Sequence, residues 1–144
     1  MNILRKLRDA SFNTPTWLTI GNFDGMHLGH QALVDRTVAM AATQGAKSAL
    51  LTFDPHPTAV LRPGTPLLHL TTPWQRLRVA AQHGVAVGII QPFSLELAAL
   101  SARDFVLLLR KHLNLTGLVA GPDFALGRKR EGTLSVLEAL ASEI

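Results

Sequence analysis

The sequence contains no cysteine. That excludes disulfides, Cys-ligated zinc, iron–sulfur clusters and a thiol nucleophile, and leaves histidine and carboxylates for any site chemistry. No apolar run approaches the ~20 residues needed to span a bilayer. The opening stretch MNILRKLRDA scatters its charges among its apolar residues, so it lacks the separate basic, apolar and cleavage regions of a secretory signal. A cytoplasmic protein without membrane contact is expected. Long basic runs are missing too: the densest is Arg128, Lys129 and Arg130, short of the five or more that read as a nucleic-acid patch. This trio is expected as a solvated loop, and no nucleic-acid partner is expected. There is no internal repeat, low-complexity tract or linker, and 144 residues make one domain able to bury roughly 70% of its unfolded surface. What is present fits a compact fold, with 47% hydrophobic and 17% charged residues. The net charge of +4 favours acidic partners, phosphorylated metabolites among them.

Hydrophobic patterning alternates short strands with helices. Trp17 to Ile20 reads as a strand, followed by a Gly-rich turn and a helix from about Gly29 to Gln44, with Leu33, Val34, Val38 and Ala41 at helical spacing. Gly45 stands where that helix would stop in a left-handed conformation. Ser48 to Phe53 is a second strand, ended by Asp54-Pro55-His56-Pro57, where two prolines imply an extended, exposed loop to about Pro66. Thr72, Pro73 and Gln75 combine an N-cap, a first-position proline and a capping box, opening a helix that should end near Gly84. Val85 to Ile90 reads as a buried strand. Ser101 caps a helix with Asp104 at its positive end and Phe105 entering the core. Thr116 to Ala120 is a fourth strand, Gly121 to Gly132 a loop, and Leu134, Val136, Leu137 and Leu140 mark a last helix. Such alternation predicts an α/β, Rossmann-like parallel sheet flanked by helices. The loops after the strands, Gly21 to Leu28, Asp54 to Pro66 and Gly121 to Gly132, should then share its carboxyl rim, where ligands bind.

The turn Gly21-Asn22-Phe23-Asp24-Gly25-Met26-His27-Leu28-Gly29-His30 carries three glycines that permit positive φ and close backbone approach to an anion. A triphosphate there would meet the orphan N–H groups and positive dipole of the helix start and two imidazoles, with Gly29 leaving room for phosphate between them. His27 and His30 are three apart, so their rings can point the same way. Asp24 is expected to fix the turn by accepting backbone N–H bonds, and Asn22 to reach phosphate or ribose. Zinc held by the two histidines with Asp24 or His56 is an alternative reading of the same residues. Neither GxxxxGK[ST] nor GxGxxG is present. Phe53, Pro55 and Pro57 could form an apolar wall with Phe124 as a second aromatic surface. Asp123 could accept a hydrogen bond from a ligand, and His56 is held between prolines. His69, His83 and His112 have no motif around them and read as surface or helix-end residues.

His-x-Gly-His after a strand and Gly-Asn-Phe-Asp-Gly resembles the nucleotidyltransferase superfamily that shares this signature with class I aminoacyl-tRNA synthetases. With TFDPHP at Thr52 to Pro57, LSARDF at Leu100 to Phe105 and GPDFALG at Gly121 to Gly127, in that order, the chain is similar to the FMN adenylyltransferase domain of bacterial bifunctional FAD synthetase, from about Thr19 to its end. The resemblance assigns residues 1–144 to that domain and implies transfer of AMP from ATP to FMN, giving FAD and pyrophosphate, with Mg2+ accompanying ATP. It implies that Gly21, Asn22, Phe23, Asp24, Gly25, His27, Gly29 and His30 hold ATP, with His27, His30 and Asn22 serving the chemistry. It further implies that Phe53, Pro55, His56, Pro57, Asp123, Phe124 and Leu126 form the flavin side, although Leu126 stands where an aromatic residue is frequent. Relatives continue with a further strand, a Ser/Thr-rich segment with arginine, and a riboflavin kinase domain, so the chain is expected to be C-terminally truncated. The alternatives are another nucleotidyltransferase of this signature with a different phosphate acceptor, and a non-catalytic nucleotide- or flavin-binding fragment.

Overall fold

A computed structural model describes all residues, Met1 to Ile144. The apolar runs form the centre of a parallel sheet, because strands covered on both faces need apolar side chains on both. In chain order the elements are β1 (Asn2–Leu4), β2 (Thr16–Ile20), α1 (Leu28–Thr43), β3 (Lys47–Phe53), α2 (Pro57–Leu61) and α3 (Pro73–Gln82). Then come β4 (Val87–Gln91), α4 (Leu95–Ala98), α5 (Ala102–Leu113), β5 (Leu115–Val119), β6 (Ala125–Leu126), β7 (Gly132–Thr133) and α6 (Leu134–Glu143). Five strands make the main sheet in the order β1-β4-β3-β2-β5, and every pair in it is parallel. The Rossmann-like expectation is met.

The order places the site. From β2 the chain moves outward through β3 and β4, then returns to lay β5 on the other side of β2. The direction of winding therefore reverses at β2, the kind of position at which open α/β sheets bind ligands beyond the strand carboxyl ends. Because the strands are parallel, the segments after Ile20, Phe53, Gln91 and Val119 all leave from this one rim.

Two apolar clusters hold the sheet. One face packs Leu18, Ile20, Leu51 and Ile89 against Phe105, Leu109 and Leu113 of α5, so Phe105 enters the core as the sequence implied. The other packs Leu50 and Ile90 against Val34 of α1 and Leu77 and Ala80 of α3. The caps follow the sequence. Thr72 Oγ1 accepts from the Gln75 N–H while the Gln75 side chain accepts from the Thr72 N–H, completing the capping box, and Ser101 Oγ accepts from the Asp104 N–H. Gly45 takes φ +63°, the left-handed stop expected of it.

Four segments differ from expectation. The opening stretch, read only for what it lacks, contributes β1, paired with Val87 to Ile89. The loop from Asp54 to Pro66 is not extended throughout, because Pro57 opens α2 and His56 caps it, its Nδ1 accepting from the Thr58 N–H at 3.0 Å. Proline ends a strand but suits a first helical turn, so the same residues that stop β3 start α2. The loop from Gly121 to Gly132 carries antiparallel β6, which pairs with β7. Ser94 starts an additional short helix, α4, by accepting from the Leu97 N–H.

Candidate active site

The turn after β2 is built on left-handed backbone, but not where glycine alone would put it. Gly25 takes φ +79°, and the two non-glycine residues Phe23 and Met26 take +53° and +42°. Each such residue costs about 1–3 kcal/mol. Phe23 and Met26 are both only 3% exposed, and burying a side chain of this size returns about 1.5–3 kcal/mol, so the turn is held down by two apolar anchors. The Phe23 side chain is thereby spent on packing: its ring lies under Gly21, where an added Cβ would meet it at 3.2 Å, and against the edge of His30, centroids 5.5 Å apart.

His27 caps α1, its Nδ1 accepting from the His30 N–H at 3.4 Å, and the two imidazoles stack with centroids 3.5 Å apart and planes 25° from parallel. The rings do point the same way, but no phosphate fits between them. Gly29 makes room for the His27 ring instead: a Cβ there would meet its Cε1 at 3.2 Å and Nδ1 at 3.3 Å. His30 Nδ1 and Asn22 Oδ1 are buried without a hydrogen-bond partner. Burial pushes the His30 pKa down, the neighbouring His27 pushes the same way, and Asp24 partly opposes them.

Asp24 does accept backbone N–H bonds, from a distant segment rather than from its own turn. The donors are the Leu70 N–H at 3.0 Å and the Thr71 N–H at 2.9 Å, joined by the Thr71 hydroxyl at 3.0 Å. Arg76 Nη2 lies 3.7 Å from its Oδ1. These contacts, the Leu70 bond foremost, hold the Asp24 carboxyl at about 2, below its ordinary 3.8. The zinc alternative finds no third ligand, since no three His, Asp or Glu side chains stand together as a metal site.

Beside the turn lies a cavity of about 170 Å³ lined by Phe53, Asp54, His56, His69, Thr71 and Arg76, among others. His69, which has no sequence motif, stands 5.7 Å from His56 between ring centroids. Burial, then His69 and Arg76, pushes the His56 pKa down. Phe53 meets Phe93, from the segment after β4, edge to face at 5.4 Å. Phe53 and Phe124 pack partly against one core cluster, and Leu126, 7% exposed, belongs to it. Leu126 thus supports its loop from the core side and presents no surface like that of Phe124. Asp123 is exposed, and its carbonyl accepts from Arg130. His83, at the end of α3, meets Asp35 at 2.7 Å, and His112, in the last turn of α5, meets the Ala10 carbonyl at 3.0 Å, both at helix ends as expected. A larger cavity of about 510 Å³ lies apart from these loops, along β5 between α1, α5 and α6.

Sequence reasoning gave no role to Arg76, Thr71 or Thr52; His69 is exposed, as expected of it, and also lines the cavity. For Arg76 a signal existed: it shares the inward face of α3 with Leu77 and Ala80, four positions before the latter.

A parallel sheet whose reversal point carries a Gly-rich turn and a helix start defines a nucleotide-binding α/β protein of the Rossmann-like kind. The FAD synthetase family model matches residues 9–144, and the chain belongs to the FAD synthetase family. It is 35% identical over 127 residues to the bifunctional riboflavin kinase/FMN adenylyltransferase of Escherichia coli K12, covering 88% of this chain and 41% of that protein. The Listeria monocytogenes protein of the same description is 34% identical over 125 residues, covering 86% and 40%. The chain spans about two-fifths of the length of these relatives. A crystal structure described as a macrolide-efflux protein from Streptococcus pneumoniae superposes with a TM-score of 0.85 at 28% identity, covering 96% of this chain and 46% of that one. No helix of this chain is long and apolar enough to cross a membrane.

Proposed function

We propose that this chain transfers AMP from ATP to FMN, giving FAD and pyrophosphate. The observation that carries the proposal is the stacked His27–His30 pair at the start of α1, at the reversal point of the sheet, beside loops that carry Phe53 and Phe124. The first-turn N–H groups of α1 and its positive end suit phosphate oxygens. The imidazoles add N–H donors on the same side.

An FMN phosphate oxygen attacks the α-phosphorus of ATP in line, a new P–O bond forms, and the bond to the leaving pyrophosphate breaks. No protein nucleophile takes part. The protein's contribution is alignment and stabilisation of charge on the equatorial and leaving oxygens, a role this reading gives to His27, His30 and Asn22. Mg2+ would accompany ATP as part of the substrate and would offset charge on its phosphates. On the flavin side Phe53 with Pro55, His56 and Pro57 forms one wall, and Phe124 with Asp123 the other. The cavity of about 170 Å³ between the Phe53–His56 segment and the start of α3 is smaller than the ~300 Å³ at which small-molecule pockets usually begin, so the isoalloxazine would lie across the loops rather than inside it.

The test is incubation with ATP, magnesium and FMN, reading FAD by chromatography, with CTP replacing ATP and phosphopantetheine replacing FMN as controls. FAD from ATP and FMN alone is the expected result. Product with another acceptor would favour a different nucleotidyltransferase, and ATP binding with no transfer to any acceptor would favour a non-catalytic domain.

A further inference from the structure

Thr52 stands in β3 just before the Phe53–Pro57 loop, Asp24 sits in the phosphate turn, and Thr71 precedes α3. One side chain reaches all three. Arg76 is 3% exposed. Its Nη1 donates to Thr52 Oγ1 at 3.3 Å, its Nε to Thr71 Oγ1 at 3.1 Å and its Nη2 to the Thr71 carbonyl at 3.0 Å, while Nη2 lies 3.7 Å from Asp24 Oδ1.

Each hydroxyl it meets holds the turn in its own right. Thr71 Oγ1 accepts from the Gly25 N–H at 3.0 Å and donates to Asp24, so with Arg76 its three hydrogen-bonding sites are filled. Thr52 Oγ1 donates to the Asn22 carbonyl at 3.1 Å. The guanidinium thus fastens the first half of the turn, Asn22 through Thr52 and Asp24 with Gly25 through Thr71, to the strand that launches the flavin-side loop. It also lines the cavity beside that loop with Phe53, His56 and His69. Burying a cation costs stability that a well-packed apolar residue would not, so a guanidinium here is not explained by packing α3 against the sheet.

We propose that Arg76 is a positioning residue for both halves of the site, holding the ATP-side turn and the flavin-side loop in one fixed relation through Asp24, Thr71 and Thr52. The assignment of a ligand to each half rests on the proposed function; the mechanical link does not. A planar fork is needed to reach the three partners at once, and lysine keeps the charge without that geometry.

The experiment compares Arg76→Lys and Arg76→Met with the wild type by two readouts. Amide hydrogen exchange, followed by NMR without ligand, should lose protection about tenfold at Gly25 and Met26 in the turn and also at Asp54, while amides inside β3 and α1 stay protected, as local opening differs from global unfolding. Loss confined to Leu70, Thr71 and Thr72 would make Arg76 a local support of the α3 cap and overturn the proposal. In the second readout, calorimetry with ATP and flavin fluorescence with FMN should show both dissociation constants of Arg76→Lys raised about tenfold, as misalignment of a preorganised site predicts, with melting within about 5 °C of the wild type. Unchanged binding, or weakening of one ligand alone, would overturn the proposal. If Arg76→Met fails to fold, Arg76→Lys carries both readouts. If the wild type binds neither ATP nor FMN, the proposed function fails and the exchange result still decides the role of Arg76.

Discussion

The His27 and His30 imidazoles lie face to face, centroids 3.5 Å apart, and Gly29 between them is the residue whose missing side chain lets the His27 ring fold back over α1. The glycine in this signature therefore shapes the histidine pair itself.

Gly29→Ala follows from that contact. Alanine in place of glycine favours a helix by about 1 kcal/mol, and this glycine is helical without positive φ, so melting temperature should rise slightly. The new Cβ would press on the His27 ring at 3.2 Å, displacing it by a few tenths of an ångström. Weaker ATP binding, by about tenfold, together with an unchanged or higher melting temperature, is expected; equal ATP affinity would show that the ring position does not matter.

His30→Ala should lower adenylyl transfer roughly a hundred- to a thousandfold, the usual effect of removing one preorganised donor to a transition-state oxygen. Circular dichroism should stay unchanged. Turnover near that of the wild type would remove His30 from the mechanism.

Proton uptake should accompany ATP binding. Burial, with His27 alongside, holds the His30 pKa below its ordinary 6.5, so the free protein carries this ring neutral at and above that pH. Phosphate beside it favours the charged form and raises the pKa. ATP affinity should then increase as the pH falls through 6.5 towards the depressed value, and calorimetric heats should vary with buffer ionisation enthalpy. His30→Gln should abolish both effects, and a pH-independent affinity in the wild type would contradict the assignment.

Asp24 links the turn to acid stability. Its carboxyl, held at about 2 against an ordinary 3.8, contributes stability that is fully present above 3.8 and is lost as the pH falls through about 2, because the unfolded chain binds the proton first. Asp24→Asn should melt lower than the wild type at neutral pH, and the gap should narrow on acidification across that window. Melting curves that stay parallel would show that the Leu70 and Thr71 contacts do not need the charge.

Much of the site was legible in the sequence because its determinants are local. The Gly21–His30 turn, the strand before it and the helix after it are consecutive, and the caps at Thr72 and Ser101 need only the next three residues to form. The parallel order of strands, and hence the shared rim, follows from alternating strand and helix patterns and the handedness of their connections. Partners far apart in sequence left no such trace. Thr71 meets Asp24 from 47 positions away and Arg76 meets Thr52 from 24, and nothing in either neighbourhood names the other. The inward-face position of Arg76 on α3 marks it as buried, but nothing names Thr52 as its partner until the sheet beneath is known.

The sequence by itself determined the α/β class, the Gly-rich turn that carries His27 and His30 into a helix start, and the family resemblance, because these depend on residue order and short-range spacing. Only the tertiary structure decided that β1 completes the sheet, that the two imidazoles stack and leave no room for phosphate between them, and that Arg76 joins turn to loop. Those outcomes depend on which side chains packing brings within 3 to 4 Å, and hydrogen bonds and stacking fall off too steeply beyond contact for residue order alone to reveal them.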